Sequence, residues 1–214
     1  NKTDVVLTSV AGNEKAIGYI SLGALNDTVK AVKVDGAEAT VDNVKAGAYK
    51  LSRPFNIATK GEPTGVAKDF ISFILSKEGQ AVVTDNKYIA VNDAAESFVS
   101  DGSSGQIAVG GSSSVSPVME KLIEAYKSVN PNASIDLQTS DSTSGMTGAM
   151  DGTFAIGMAS RELKDEEAAQ LTGTAIALDG IAVIVNPANT IDELSMDQIK
   201  SIYVGDITDW GDLA

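Results

Sequence analysis

The chain has 214 residues, 43% of them apolar, enough for one large domain or two small lobes with real cores. Its formal net charge of −13 leaves no basic stripe to neutralise phosphates, which argues against nucleic-acid binding. Histidine and cysteine are both absent, which removes the commonest general base, the Ser–His relay, disulfides and thiolate metal sites.

No apolar run reaches membrane-spanning length. Strands are expected at Lys15 to Leu22 and Thr28 to Val34, and again at Ser52 to Gly61 between turn residues. Val66, Phe70, Ile71, Phe73 and Ile74 carry helical spacing, and Gly79 is expected to end or interrupt that helix. Ser100 to Gln106, small and polar with two glycines, reads as a linker. A strand "IAVGG" follows. Then comes a helix "SPVMEKLIEAYKSVNP", stopped by Asn130-Pro131, with Val118, Leu122, Ile123 and Tyr126 on one face. "SIDLQTS" reads as a strand, "SGMTGAMDG" as a short helix, "FAIGMAS" as a buried strand and "ELKDEEAAQLT" as a polar helix. Thr174 to Pro187 reads as a long strand broken at Asp179-Gly180, and "SMDQIKSIYVG" as a closing helix. Strands alternate with helices, so the fold class is α/β.

Three strand ends carry small hydroxyls. In "VGGSSSVSPVMEKLIEAY" the strand is expected to end at Gly110-Gly111 and the helix to begin near Ser116-Pro117, a serine cap before a first-turn proline. The first turn of a helix leaves N–H groups unpaired and partly positive, so glycines and serines there can cradle an oxyanion. The same residues also serve an ordinary N-cap and flexible loop. "TSDSTSGMTGAM" repeats the pattern, with Ser142 or Ser144 as the cap. "AIGMASREL" places Ser160 and Arg161 where the chain leaves the sheet. Arg161 reads either as a bidentate anion clamp or as a surface partner of Glu162 or Asp165. The run Asp165, Glu166 and Glu167 reads as a solvated helix face and not a metal site. With no G-x-S-x-G, no S-x-x-K and no histidine, a serine hydrolase is disfavoured.

The stretches "IAVGGSSSVSPVMEKLIEAY", "DSTSGMTGAMDG", "FAIGMASRELKDEE", "ALDGIAVIVNP" and "IKSIYVGDITDW" resemble the first half of phosphate-binding proteins of ABC importers, of the PstS type. "KAIGYISLG", "VKVDGAEATVDNVKAG" and the run from Ser52 to Val83 resemble the second half. The resemblance covers nearly the whole chain, with its halves in exchanged order, and "SFVSDGSSGQ" joins the usual end to the usual start. Two origins fit that order: an engineered circular permutant, or a slice across two tandem copies. A segment with an Asn-Arg and then an Ala-Gly-Ser-Gly-Thr-Arg pattern, which follows the equivalent of Trp210 in the family, is not in the sequence.

The resemblance implies a two-lobed type II solute-binding fold that clamps a tetrahedral oxyanion, with no enzymatic activity, cofactor or metal. It implies one contiguous lobe over residues 52–179 that carries the Ser-rich anion loops, a second, incomplete lobe over 1–51 plus 180–214, and a junction at 100–106. It carries the oxyanion site onto Ser113, Ser114, Ser142, Gly145, Ser160 and Arg161. Ser160 stands where many relatives have an aspartate that accepts a hydrogen bond from protonated phosphate, with Asp141 as the nearby substitute. The partners implied are phosphate or a similar oxyanion and the importer's membrane subunits, at an extracellular or cell-surface location with a lipoprotein anchor. A solute-binding-like scaffold with a lost or incomplete site is the alternative function.

Overall fold

The computed structural model describes residues 3–213. Its contacts divide the chain into two compact units. One takes the chain up to Ser52 and from Gly180 onward, and the other is Arg53–Asp179.

In the Arg53–Asp179 unit, β4 (Ser52–Thr59), β5 (Gly105–Ser112), β6 (Ala133–Ser140), β7 (Ile156–Ala159) and the first part of β8 (Thr172–Val185) lie in the order β8-β4-β7-β5-β6. β5 pairs in parallel with both β6 and β7, while β4 runs antiparallel to β7. Successive residues of a strand face opposite sides, and the two faces bury different cores. Ile57 and Met158 join Phe55, Phe70, Phe73, Met119, Leu122 and Tyr126, beneath α3 (Gly65–Leu75), α4 (Lys77–Asp85) and α5 (Ser116–Val129). Ala58 and Ala159 join Met146, Ala149 and Leu171, against α6 (Ser142–Asp151).

In the other unit, β1 (Ile17–Ser21) and the two-residue β2 (Lys30–Ala31) pair antiparallel with the second part of β8. Helix α1 (Thr3–Ala11) packs on β1, and Val10, Ile20, Leu22, Val29, Ala182 and Ile184 form their core. A small parallel pair, β3 (Lys33–Val34) with β9 (Glu193–Leu194), sits with α2 (Val41–Lys45) and α8 (Met196–Val204) in the same unit.

Several expected boundaries move. The single strand expected over Thr28 to Val34 is two short ones, β2 and β3, because Val32 between them donates its N–H to Val183 while Lys33 turns to Asp192. The helix break falls at Ser76 and not at Gly79: the Ser76 hydroxyl caps α4 by accepting from the Gly79 N–H at 3.2 Å. β8 is unbroken through Asp179 and Gly180. The polar helix expected from Glu162 shrinks to α7 (Asp165–Ala168), whose third residue, Glu167, turns inward and is only 2% exposed. Helices α1 and α2 were not expected. Gly105 and Gln106 of the expected linker already belong to β5, and Ser100 and Asp101 are tied to the buried carboxylate of Asp69.

Candidate oxyanion site

Parallel β5, β6 and β7 end at Ser112, Ser140 and Ala159. Open α/β sheets place ligand sites outside such carboxyl ends. β4 runs the other way with Asn56 opposite Ala159, so the residues before Asn56 extend past the same edge.

Serines from separate segments meet at this edge. Ser112 Oγ donates to Ser160 Oγ at 3.0 Å. The Ser160 N–H donates to Ser142 Oγ at 3.1 Å. The Ser114 N–H donates to Ser112 Oγ at 3.3 Å. Ser160 is therefore the hub linking the ends of β5 and β7 to the start of α6. Ser113 and Ser114 are half-buried beside it. The Ser113 N–H is engaged by the Ser140 carbonyl at 3.1 Å, so its hydroxyl is what it can offer a ligand.

The caps differ from expectation. Val115 stands at the N-cap of α5. Ser116 is inside the helix, buried, with its hydroxyl donating to the Ser112 carbonyl at 3.2 Å. α6 is capped by Asp141, not by Ser142 or Ser144. Its carboxylate accepts from the Ser144 N–H at 3.0 Å and from the Ser144 hydroxyl at 2.7 Å. Those bonds, the hydroxyl's first, hold Asp141 below the ordinary carboxylate range despite some burial. The cap leaves Ser142 to face Ser160.

Gly145 is a packing residue. A Cβ there would lie 2.7 Å from the Gly111 Cα and 2.7 Å from the Met158 carbonyl oxygen. Gly111 has a φ of 137°, which disfavours any side chain. The two glycines let α6 approach the backbones of β5 and β7, which brings Ser142 within reach of Ser160.

The arginines divide the charge. Arg161 gives Nη1 and Nη2 to the two carboxylate oxygens of Glu167 at 2.7 and 2.8 Å, and Nη1 also donates to the Glu162 carbonyl at 2.9 Å. Its ion-pair partner is thus neither Glu162 nor Asp165. The hydrogen bonds it donates to Glu167 push the guanidinium pKa up and outweigh burial. Arg53, at the start of β4, was not expected here. Its Nε donates to the fully buried Asp179 at 3.1 Å, and its Nη1 lies 3.5 Å from Ser160 Oγ. Ser112, Arg53 and Asp179 are the residues sequence reasoning missed. Ser112 stood in the quoted serine run, one residue past the expected strand end. Arg53 and Asp179 gave no local signal, because strand pairing brings them to the edge.

Among the described residues, no group of three or more histidine, cysteine, aspartate or glutamate side chains comes together as a metal site requires. Among them, too, no helix is long and apolar enough to cross a membrane.

An α/β unit that gathers hydroxyls at the carboxyl edge of its sheet is built to hold a ligand there, and residues 97–214 match the PBP superfamily domain, the class of solute-binding proteins. The chain is 52% identical to the phosphate-binding protein PstS 2 of Streptococcus agalactiae serotype V, over all of this chain and 73% of that protein. It is 49% identical to the phosphate-binding protein PstS 2 of Streptococcus pneumoniae serotype 4, over 98% of this chain and 72% of that one. The crystal structure of a phosphate ABC transporter, phosphate-binding protein from Streptococcus pneumoniae superposes with a TM-score of 0.83 at 48% identity, covering 100% of this chain and 83% of that one. The chain belongs to the PstS family of phosphate-binding proteins, which are substrate-binding proteins of ABC transporters and not enzymes.

Proposed function

We propose that this chain captures inorganic phosphate, or an oxyanion of the same tetrahedral class, and delivers it to an ABC importer outside the cytoplasmic membrane. One observation carries the reading: hydroxyls from three separate segments, Ser112, Ser142 and Ser160, are linked at one sheet edge. Such a cluster offers several converging donors to tetrahedral oxygens, while a protein of net charge −13 repels anions from afar and must bind them locally. Ser113 and Ser114 add hydroxyls beside it, and Gly145 sets the approach of α6. Arg161 pairs with Glu167 through both terminal nitrogens, which supports resting recognition on the serines.

A lipoprotein anchor at the cell surface belongs to the same reading, supported by the family alone. The exchanged order of the halves is part of it as well. The whole-chain alignment over 216 positions supports an order shared with the streptococcal relatives, in preference to an engineered rearrangement.

Calorimetric titration of the chain with phosphate and with sulfate tests the function. Saturable binding of phosphate is the expected result. Heat changes no larger than dilution for both anions would leave the scaffold alternative in its place.

A further inference from the structure

We propose that Arg53 is the charged donor of the oxyanion site and that Asp179 is the positioning residue that aims it. This rests on the oxyanion reading of the serine cluster.

Sheet register brings Arg53 to the site. β4 lies antiparallel to β7 with Asn56 opposite Ala159, so the chain three residues earlier lies beyond the end of β7, where Ser160 stands. The guanidinium is held there on two sides. Nε donates to Asp179 Oδ2 at 3.1 Å, and the guanidinium carbon lies 5.6 Å from the centroid of the Phe55 ring. Asp179 is fully buried, whereas the Arg53 side chain keeps 20% of its surface exposed. Burial fixes the carboxylate, and the carboxylate fixes the fork.

The remaining edge of the fork faces the serines. Nη1 reaches to 3.5 Å from Ser160 Oγ, the hub of the cluster, and Nη2 has no acceptor among the described residues. An arginine presents five N–H donors in a rigid plane matched to paired oxyanion oxygens. With one side bound to Asp179, Arg53 retains donors and part of its charge for a ligand. Arg161 offers less, since both of its terminal nitrogens donate to Glu167 and Nη1 donates to the Glu162 carbonyl as well. An oxyanion bound by a strongly acidic protein needs at least one local positive charge or many aligned dipoles. Arg53 is the guanidinium that the geometry offers to the cluster.

Asp179 has two opposing effects. Its negative charge weakens the attraction of Arg53 for an anion, yet its hydrogen bond decides where the fork points. Substitution separates them. Asn at 179 keeps a carbonyl oxygen for Nε and removes the charge. Ala removes both.

The test is calorimetric titration with inorganic phosphate at fixed ionic strength, using the wild-type chain, Arg53→Gln, Arg53→Lys, Arg161→Gln, Asp179→Asn and Asp179→Ala, each with a thermal melt. Arg53→Gln should lose at least tenfold in affinity. Arg53→Lys should recover part of that loss, as a point charge without the fork, and it answers the question if the glutamine variant does not fold. Asp179→Ala should weaken binding although it removes a negative charge, while Asp179→Asn should bind at least as tightly as wild type. Phosphate affinity unchanged in Arg53→Gln, or a larger loss in Arg161→Gln than in Arg53→Gln, overturns the assignment of the donor. Tighter binding by Asp179→Ala overturns the positioning role, since a residue acting through charge alone would give that result. A wild-type chain that binds no phosphate overturns the functional reading together with this one, whereas binding unaltered by Arg53 substitutions overturns this one alone.

Discussion

Glu167 grips Arg161 by both terminal nitrogens, at 2.7 and 2.8 Å, and also accepts from the Lys164 N–H at 2.8 Å. The acid is almost wholly buried and the arginine about a third exposed, so the pair falls between a surface bridge and an interior one. Hydrogen bonding from Arg161 holds the Glu167 carboxyl below its ordinary value, against burial. A depressed carboxylate stabilises the fold above its unfolded value, near ~4.3, and that contribution is lost as pH falls through the lower folded value.

Glu167→Gln should therefore cost about 1–2 kcal/mol at neutral pH and flatten the acid limb of the stability curve. Urea melts between pH 7 and pH 3 measure both. A variant with an acid limb parallel to wild type would show that other carboxylates set it.

Gly145→Ala should be among the most damaging single-methyl additions. The new Cβ would meet main chain, the Gly111 Cα and the Met158 oxygen, neither of which can rotate aside. The expected cost is about 1–3 kcal/mol or more, with loss of anion binding as α6 lifts and Ser142 leaves Ser160. Gly152→Ala, where a Cβ meets nothing within 4 Å but φ is +85°, separates backbone strain from crowding and should leave binding intact. Denaturant melts paired with phosphate titration read both variants.

Asp69 holds the junction segment. Its carboxylate accepts from Tyr126 Oη at 2.6 Å, Asn130 Nδ2 at 3.0 Å, Ser100 Oγ at 2.8 Å and the Asp101 N–H at 2.9 Å. Burial opposes its charge, but these bonds together outweigh burial and keep its pKa low. Asp69→Ala leaves buried donors unpaired and should cost about 2–4 kcal/mol. Amide exchange should rise first over residues 100–103. Protection there equal to wild type would mean that the segment is held by other contacts.

Ser112→Ala removes the hydroxyl shared between Ser160 and the Ser114 N–H. Phosphate affinity should fall about tenfold, close to 1.4 kcal/mol, with little change in melting temperature. Ser144→Ala is the contrast. Its hydroxyl serves the Asp141 cap, so stability should fall by about 0.5–1 kcal/mol while affinity holds.

The sequence displayed the elements better than the contacts. Helical spacing from Val118 to Tyr126 and the stop at Asn130-Pro131 located α5, and "SIDLQTS" and "FAIGMAS" located β6 and β7. Helix α1 escaped because "TDVVLTSVA" is rich in β-branched residues, and its packing on β1 overrides their preference. The serine strand ends were visible as local composition. Arg53 was not, because no local pattern tells which strand runs antiparallel beside β7. The acidic run around Glu167 reads as a solvated face. The inward turn of Glu167 follows from Arg161, six residues earlier, across a bend that periodicity does not describe.

The course of β8 has a consequence for how the molecule comes apart. The contacts change allegiance between Asp179 and Gly180, yet both residues are buried within one continuous strand. A protease needs an accessible, pliable stretch of chain to engage, and loop tips supply it where strands do not. Limited digestion should not release the two units by cutting at this crossing. The first nicks should fall in exposed coil such as residues 92–97, and the cut halves should stay associated through the sheet until denaturant separates them.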